Sequence, residues 1–277
     1  MRLALFRILF VPLLLSLSSC VTTGSSPSPT PGKSGIQLSN SDKEAIGKKI
    51  WKNECNGTVE GLTSWNQGED FPSLGIGHFI WYVPGRPGPF QESFPQLVSY
   101  MKQQGVAMPK WVGEAKGSPW TSRSEFLNQQ NSAQMKELRQ FLAGSVPTQT
   151  GFIVQRLESA LPKMQSATPD PANSKRIVDN FYKVASTRTG VYSLIDYVNF
   201  KGEGIKTEEK YNGQGWGLRD VLLEMAETGG GQASANEYSE AAKRVLQRRI
   251  KNSPSSRGES RWSAGWMNRC EGYKHGI

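Results

Sequence analysis

The side chains able to break bonds in this chain of 277 residues are few, and their types narrow the chemistry. There are two histidines, His78 and His275, and three cysteines, Cys20, Cys55 and Cys270. No Gly-x-Ser-x-Gly elbow, P-loop, His-Glu-x-x-His or Cys-x-x-Cys motif occurs. A metal site made of histidines is therefore disfavoured and no cofactor is expected, so catalysis must rest on carboxylates. Paired carboxyl groups cleave glycosidic bonds, one giving a proton to the leaving oxygen while the other serves as nucleophile, base or charge stabiliser. Glu54 has the setting of the proton donor. At 3.6 residues per turn it projects onto the face of Ile46, Ile50 and Trp51, where apolar neighbours would desolvate the carboxyl and keep it protonated near neutrality. The plainer alternative is a helix-end glutamate paired with a lysine or arginine.

The elements that must position Glu54 follow from local signals. Ser41-Asp-Lys-Glu44 has capping-box spacing, so a helix is expected from there to Asn56-Gly57. From Leu62 to Tyr82 the helical period disappears, and Gly68, Pro72, Gly75 and Gly77 punctuate a small hairpin or three-stranded ribbon. Beyond Phe94 the pattern is helical, with helices expected over 94–104, 122–143, 149–161, 171–186, 188–199, 214–227, 234–252 and 262–271. The fold class is α+β, mainly helical, with one β ribbon beside the N-terminal helix.

These motifs, in this order, resemble the phage-type lysozymes (endolysins). That family's pattern is Glu-Gly, an aromatic, an aspartate, then Thr-x-Gly-x-Gly-His. Here Glu54 is followed by Leu62-Thr-Ser-Trp65 and by Ser73-Leu-Gly75-Ile-Gly77-His78. The run from Tyr192 through Asp196 and Asn199 to Gly202, with Gly217 to Met225 after it, is similar to the family's Phe-Asn-x-Gly segment and following helix. Gly265-Trp-Met-Asn268-Arg269 is similar to its Gly-Leu-x-x-Arg-Arg helix. Between Trp81 and Thr187 no family motif is found, and 86–186 reads as a helical insert. The resemblance implies a lysozyme-like domain over 41–277 that cleaves peptidoglycan glycan strands as an N-acetylmuramidase.

By the same resemblance Glu54 is the general acid, and Ser73 stands where a threonine holds the water or the sugar face. His78 orders the ribbon, and Gly75 and Gly77 let the backbone turn beside substrate. Trp65 supplies the aromatic, and Asn199 with Tyr197 lines the far wall. Trp216, set between glycines, either stacks on a sugar or anchors a helix start. The chain departs from the family at the second carboxylate, where Asn66 and Gln67 occupy the aspartate's place. Glu69 is the first substitute, then Asp70, with Glu60, Asp196 and Glu203 behind. If none serves, the chain is a lytic transglycosylase with one catalytic glutamate, or a peptidoglycan-binding lipoprotein that does not cleave.

The first residues bear on the compartment. A basic start with Arg2 and Arg7, an apolar run and Leu17-Ser18-Ser19-Cys20 form a secretory signal over 1–20 resembling a bacterial lipobox, which implies acylation of Cys20. Val21 follows, so anchorage in the outer membrane facing the periplasm is expected, with the bilayer a partner through the acyl chains. Residues 21–40, rich in Ser, Thr, Pro and Gly, read as a flexible tether. In an oxidising compartment Cys55 and Cys270 are expected as a disulfide, with two buried free thiols as the alternative. The net charge of +9 favours polyanions, and export argues for acidic wall polymers rather than nucleic acid. The basic run of Lys243, Arg244, Arg248, Arg249 and Lys251 reads as a solvated face or as an attractor of anionic glycan.

Overall fold

The computed structural model describes residues 35–206 and 209–277. The signal sequence, Cys20 and residues 21–34 of the tether lie outside the described residues. The described part is mainly helical, 61%, with small antiparallel sheets, one of them a three-stranded sheet near the N-terminal helix.

Helix α1, Asn40–Cys55, is capped two residues earlier than the sequence suggests. The Ser39 hydroxyl accepts from the Asp42 amide at 3.1 Å, and the Asp42 carboxylate accepts from the Ser39 amide at 3.3 Å. Residues expected in the tether join the fold here, because Ile36 and Leu38 pack against the core and the Ile36 amide donates to Glu158. Ile46, Gly47, Ile50 and Cys55 face inward, and Asn56 ends the helix in the left-handed region at φ 54°.

The ribbon follows as β1 (Thr63–Ser64), β2 (Ser73–Leu74) and β3 (Phe79–Ile80), antiparallel in that order. Ser64 faces Ser73, and Ser73 faces Ile80. The helices α2 (Phe94–Gln103), α3 (Lys110–Glu114), α4 (Arg123–Asn128) and α5 (Ala133–Gly144) come next. The single helix expected over 122–143 is two, because Ser122 and Ser132 each cap their own segment. Helix α6 (Val146–Ser166) then runs through the centre of the fold, followed by α7 (Pro171–Val184) and α8 (Arg188–Lys201). The stretch read as an insert thus supplies a central helix of the core: α6 packs on α1, where a methyl group added to Gly47 would strike Val146 and Thr150.

A second hairpin pairs β4 (Lys210–Tyr211) with β5 (Gln214–Gly215) where a helix start was expected. Its turn is Asn212-Gly213, both at positive φ, a strong short-range hairpin signal. Helices α9 (Leu218–Glu224), α10 (Gln232–Asn252) and α11 (Ser263–Glu271) complete the chain. Four of the five basic residues expected as a solvated face on α10 are held in ion pairs, and Lys251 is exposed. Arg248 pairs with Glu224, Arg244 with Glu224 and Glu237, and Lys243 with Glu240 and Glu271. Arg249 grips Glu259 with two bonds of 2.8 Å, and Tyr211 donates to the same carboxylate at 3.0 Å. Glu259 is fully enclosed, and those bonds, led by Arg249, hold its carboxyl below the usual range.

The Cys55–Cys270 disulfide is not formed; both are buried free thiols. The Cys55 sulfur faces the ribbon turn, 3.7 Å from the Gly75 carbonyl and 3.7 Å from Nε2 of His78. Cys270 lies instead in the core beneath α10, its carbonyl accepting from Ser239 at 2.7 Å. Burial pushes both thiols up to about 12, with Glu54 adding to the effect at Cys55 and Asp196 at Cys270. Neither thiol is expected to react with an alkylating reagent at pH 8 in the folded protein. Both should be alkylated after unfolding without reductant, as peptide mass mapping reads directly; a linked Cys55–Cys270 peptide would overturn this.

Candidate active-site cleft

Helix α1 delivers Glu54 to the rim of a cleft of about 350 Å³, lined also by Gly77, His78, Asn199, Phe200 and Arg269. Four segments meet there: the end of α1, the β2–β3 turn, and the facing ends of α8 and α11. Glu54 is exposed, contrary to the burial expected from its apolar stripe. The reason is local. Helix α6 packs on α1 at Gly47, and Glu54 lies about two turns beyond that contact, while Cys55 beside it is covered instead by the ribbon turn.

The turn that forms one wall is held by a residue the sequence reading missed. Gly75 sits at φ 69° and His78 at φ 47°, and the Gly75 amide donates to the Leu62 carbonyl at 2.8 Å. The fully buried Gln149 of α6 accepts from the Ile76 amide at 2.9 Å, while its Nε2 donates to the Leu142 carbonyl at 2.6 Å. A methyl group on Gly75 would lie 2.3 Å from that Gln149 oxygen, so this position needs glycine for space as well as for its backbone angle. No motif spacing points to Gln149, because its partner is a backbone amide 73 residues away. Replacing Gln149 by Leu strands the buried Ile76 amide and is expected to cost about 1–3 kcal/mol in chemical denaturation. Wild-type stability in that variant would deny the clamp.

The opposite wall is built on Asp196, which is 5% exposed. Arg269 donates to it twice, at 2.7 and 2.8 Å, and the Tyr273 hydroxyl donates at 2.6 Å. Tyr192 donates at 3.3 Å, and the Asn53 amide donates to the Tyr192 oxygen at 2.7 Å, tying the wall to the residue before Glu54. Burial opposes the charge on Arg269, but the bonds and charge of Asp196 outweigh it and raise the guanidinium above its usual value. Burial, with Asp196 beside each ring, likewise raises Tyr192 and Tyr273, which stay neutral donors. Asp196, a weaker candidate for the second carboxylate, is thus committed to holding Arg269.

Other expected residues lie elsewhere. Trp65 is buried edge-on against Phe126 at 5.8 Å, and its indole donates to the Glu69 carbonyl at 2.7 Å. Tyr197 is wholly buried and donates to the Trp216 carbonyl at 2.9 Å, so it belongs to the core rather than to the cleft wall. Trp216 is buried against Tyr211, with ring centroids 4.5 Å apart, and anchors the start of α9. Ser73 is buried in the middle strand. The Glu69 carboxylate is not among the groups lining the cleft, and its Oε2 is enclosed without a partner among the described residues. Glu60 and Asp70 are exposed outside it, and Glu203 pairs with Lys163 at 2.9 Å.

A second cavity of about 370 Å³ adjoins the first, sharing Gly77 and Asn199 with it. Its far side carries Arg156, Lys163 and Glu203 from α6 and the end of α8, facing Gln91 and Gln96. The two cavities make an elongated groove with Glu54 near one end. Phe200 and Arg269 belong to the cleft without having been expected there; the sequence signal for them is adjacency to Asn199 and to Asn268. Among the described residues no cluster of His, Cys, Asp and Glu is arranged to hold a metal ion. The chain matches no protein-family model, no curated protein and no solved structure.

Proposed function

We propose that this protein cleaves the β-1,4 glycan backbone of peptidoglycan, with Glu54 as the proton donor. The observation that carries the reading is the meeting of Glu54 with the Gly77-His78 turn, Asn199 and Arg269 in one elongated groove. A sugar strand laid along it displaces the water around Glu54, and the carboxyl then hands its proton to the leaving glycosidic oxygen. Asp196 supports this role by occupying Arg269 with two hydrogen bonds, which partly neutralises the cation facing Glu54.

One observation favours the single-acid route over hydrolysis. Glu54 is the one carboxylate lining that cleft among the described residues, and Glu203, in the adjoining cavity, is taken up by its ion pair with Lys163. With no second carboxylate to activate water, the sugar's own C6 hydroxyl attacks the anomeric carbon. The glycosidic bond breaks, Glu54 protonates the departing oxygen, and its carboxylate takes up the proton of the C6 hydroxyl. The products are a new free hydroxyl end and a 1,6-anhydro end. Mass spectrometry of fragments released from purified peptidoglycan tests both readings. Anhydro ends support the transglycosylase route and reducing ends support hydrolysis. Intact polymer retained on the protein would reduce the function to binding.

A further inference from the structure

Of the eight tryptophans, Trp262 is the exposed one, at 41%, and it lies beside the proposed cleft. Its ring stacks on Trp266 with centroids 5.9 Å apart and planes inclined by 24°. Trp266 in turn meets Phe200 at 6.2 Å, and Phe200 is part of the Glu54 cleft. Cations alternate with these rings. The Arg261 guanidinium lies 4.4 Å from the Trp262 centroid. The Lys201 ammonium lies 3.4 Å from Trp266 and 3.9 Å from Phe200, and Arg269 lies 4.4 Å from Phe200. Arg269 is matched by Asp196, whereas Lys201 and Arg261 form no ion pair among the described residues.

A folded core gains nothing from this arrangement at its surface. An open indole exposes apolar area, and a half-buried ammonium held by two ring faces rather than by an ion pair is only partly compensated. Both costs are relieved by a ligand that has flat apolar faces and negative charges. We propose that Trp262, backed by the buried Trp266 and linked through it to Phe200, is a saccharide-binding platform carrying an acidic glycan strand beyond the Glu54 cleft, a site that rests on the reading of that cleft above. A sugar face lies on the Trp262 indole, and the acidic substituents of the strand meet Lys201 and Arg261. Continuity with the cleft favours a glycan over a lipid surface or a nucleic acid, because Phe200 and Arg269 belong to both surfaces.

Burial, reinforced by Arg249 and opposed by Glu259 and Cys270, with Arg269 also repelling, brings the Lys201 ammonium down to about 7. An acidic ligand is therefore expected to bind more weakly as pH rises through that value, because the cation is lost.

The test measures binding of the full chain, in detergent, to purified peptidoglycan sacculi by sedimentation. A Glu54→Gln background keeps the polymer whole. Adding Trp262→Ala should weaken binding about tenfold, while Trp262→Phe, which keeps a ring, should retain most of the affinity. Adding Lys201→Met should weaken binding to sacculi but not to neutral N-acetylglucosamine oligomers. Unchanged binding in Trp262→Ala overturns the platform even if Glu54→Gln has abolished cleavage. Anionic vesicles or single-stranded oligonucleotides bound as tightly, with the same dependence on Trp262, would also overturn it. Sacculus binding that depends on Trp262 in a protein that cleaves no glycan would sustain the platform and refute the cleavage reading instead.

Discussion

The Glu54→Gln protein is expected to lose glycan cleavage by about 100-fold or more while folding as before. Loss of a positioned general acid removes roughly two to four decades of rate. The stability expectation has a different origin. Glu54 is exposed at the end of α1, so its carboxylate carries little of the folding free energy. Surface substitutions of this kind stay within about 0.5 kcal/mol, or roughly 1–2 °C in the thermal midpoint for a domain of this size. Activity is read as fragments released from peptidoglycan, and stability by calorimetry on the same sample. Full turnover in Glu54→Gln would remove the proton donor and with it the enzymatic reading. A collapse of the midpoint would mean that Glu54 supports the fold in a way its exposure does not suggest.

The second large effect is expected at the wall facing Glu54, and it is asymmetric. Arg269→Ala leaves the Asp196 carboxylate, whose side chain is 4% exposed, with tyrosine hydroxyls alone as donors. Breaking a buried ion pair from the side that strands the charge costs about 3–5 kcal/mol, roughly 10 °C or more here. Asp196→Ala strands the other partner. Arg269 is 37% exposed and opens into the cleft, so water solvates what Asp196 no longer binds. The Asp196 variant is therefore expected to lose less stability than the Arg269 variant, and the double variant to recover part of the Arg269 loss. Equal losses, or none, in thermal unfolding would show that the wall is held by packing instead. Both variants should also impair cleavage, because the Asp196–Tyr192–Asn53 chain reaches the residue beside Glu54.

Much of the architecture is local and so could be read along the chain. Amphipathic periodicity places most helices within a few residues, and the glycines with β-branched and aromatic residues mark the ribbon. Where expectation and structure part, a neighbour overrides or refines a local signal. Ser41 and Glu44 have capping spacing, but Ser39 and Asp42 use the same chemistry two residues upstream. Asn212-Gly213 is a hairpin signal lying just ahead of the helix expected from residue 214, so that the second strand of the hairpin takes the place of its first turn. Trp65, Tyr197 and Trp216 have the side chains of a sugar site, yet each is buried in the core, the first two with their own polar hydrogens satisfied by backbone carbonyls. Residue type cannot separate a stacking platform from a core anchor; exposure can, and it singles out Trp262.

The sequence by itself determined the mainly helical class and the ribbon beside the first helix, and its inventory of two histidines and three cysteines is what turned the expected chemistry toward carboxylates. These depend on periodicity, turn chemistry and residue inventory, which are properties of short stretches or of the whole list. Only the tertiary structure decided that Glu54 opens onto a cleft, that Asp196 and Arg269 back it, that Glu69 stands outside it, and that Cys55 and Cys270 remain apart. Each of those depends on where α6 crosses α1 and where α8 meets α11, contacts made between residues far apart in the chain, and no spacing along the chain encodes such a distance.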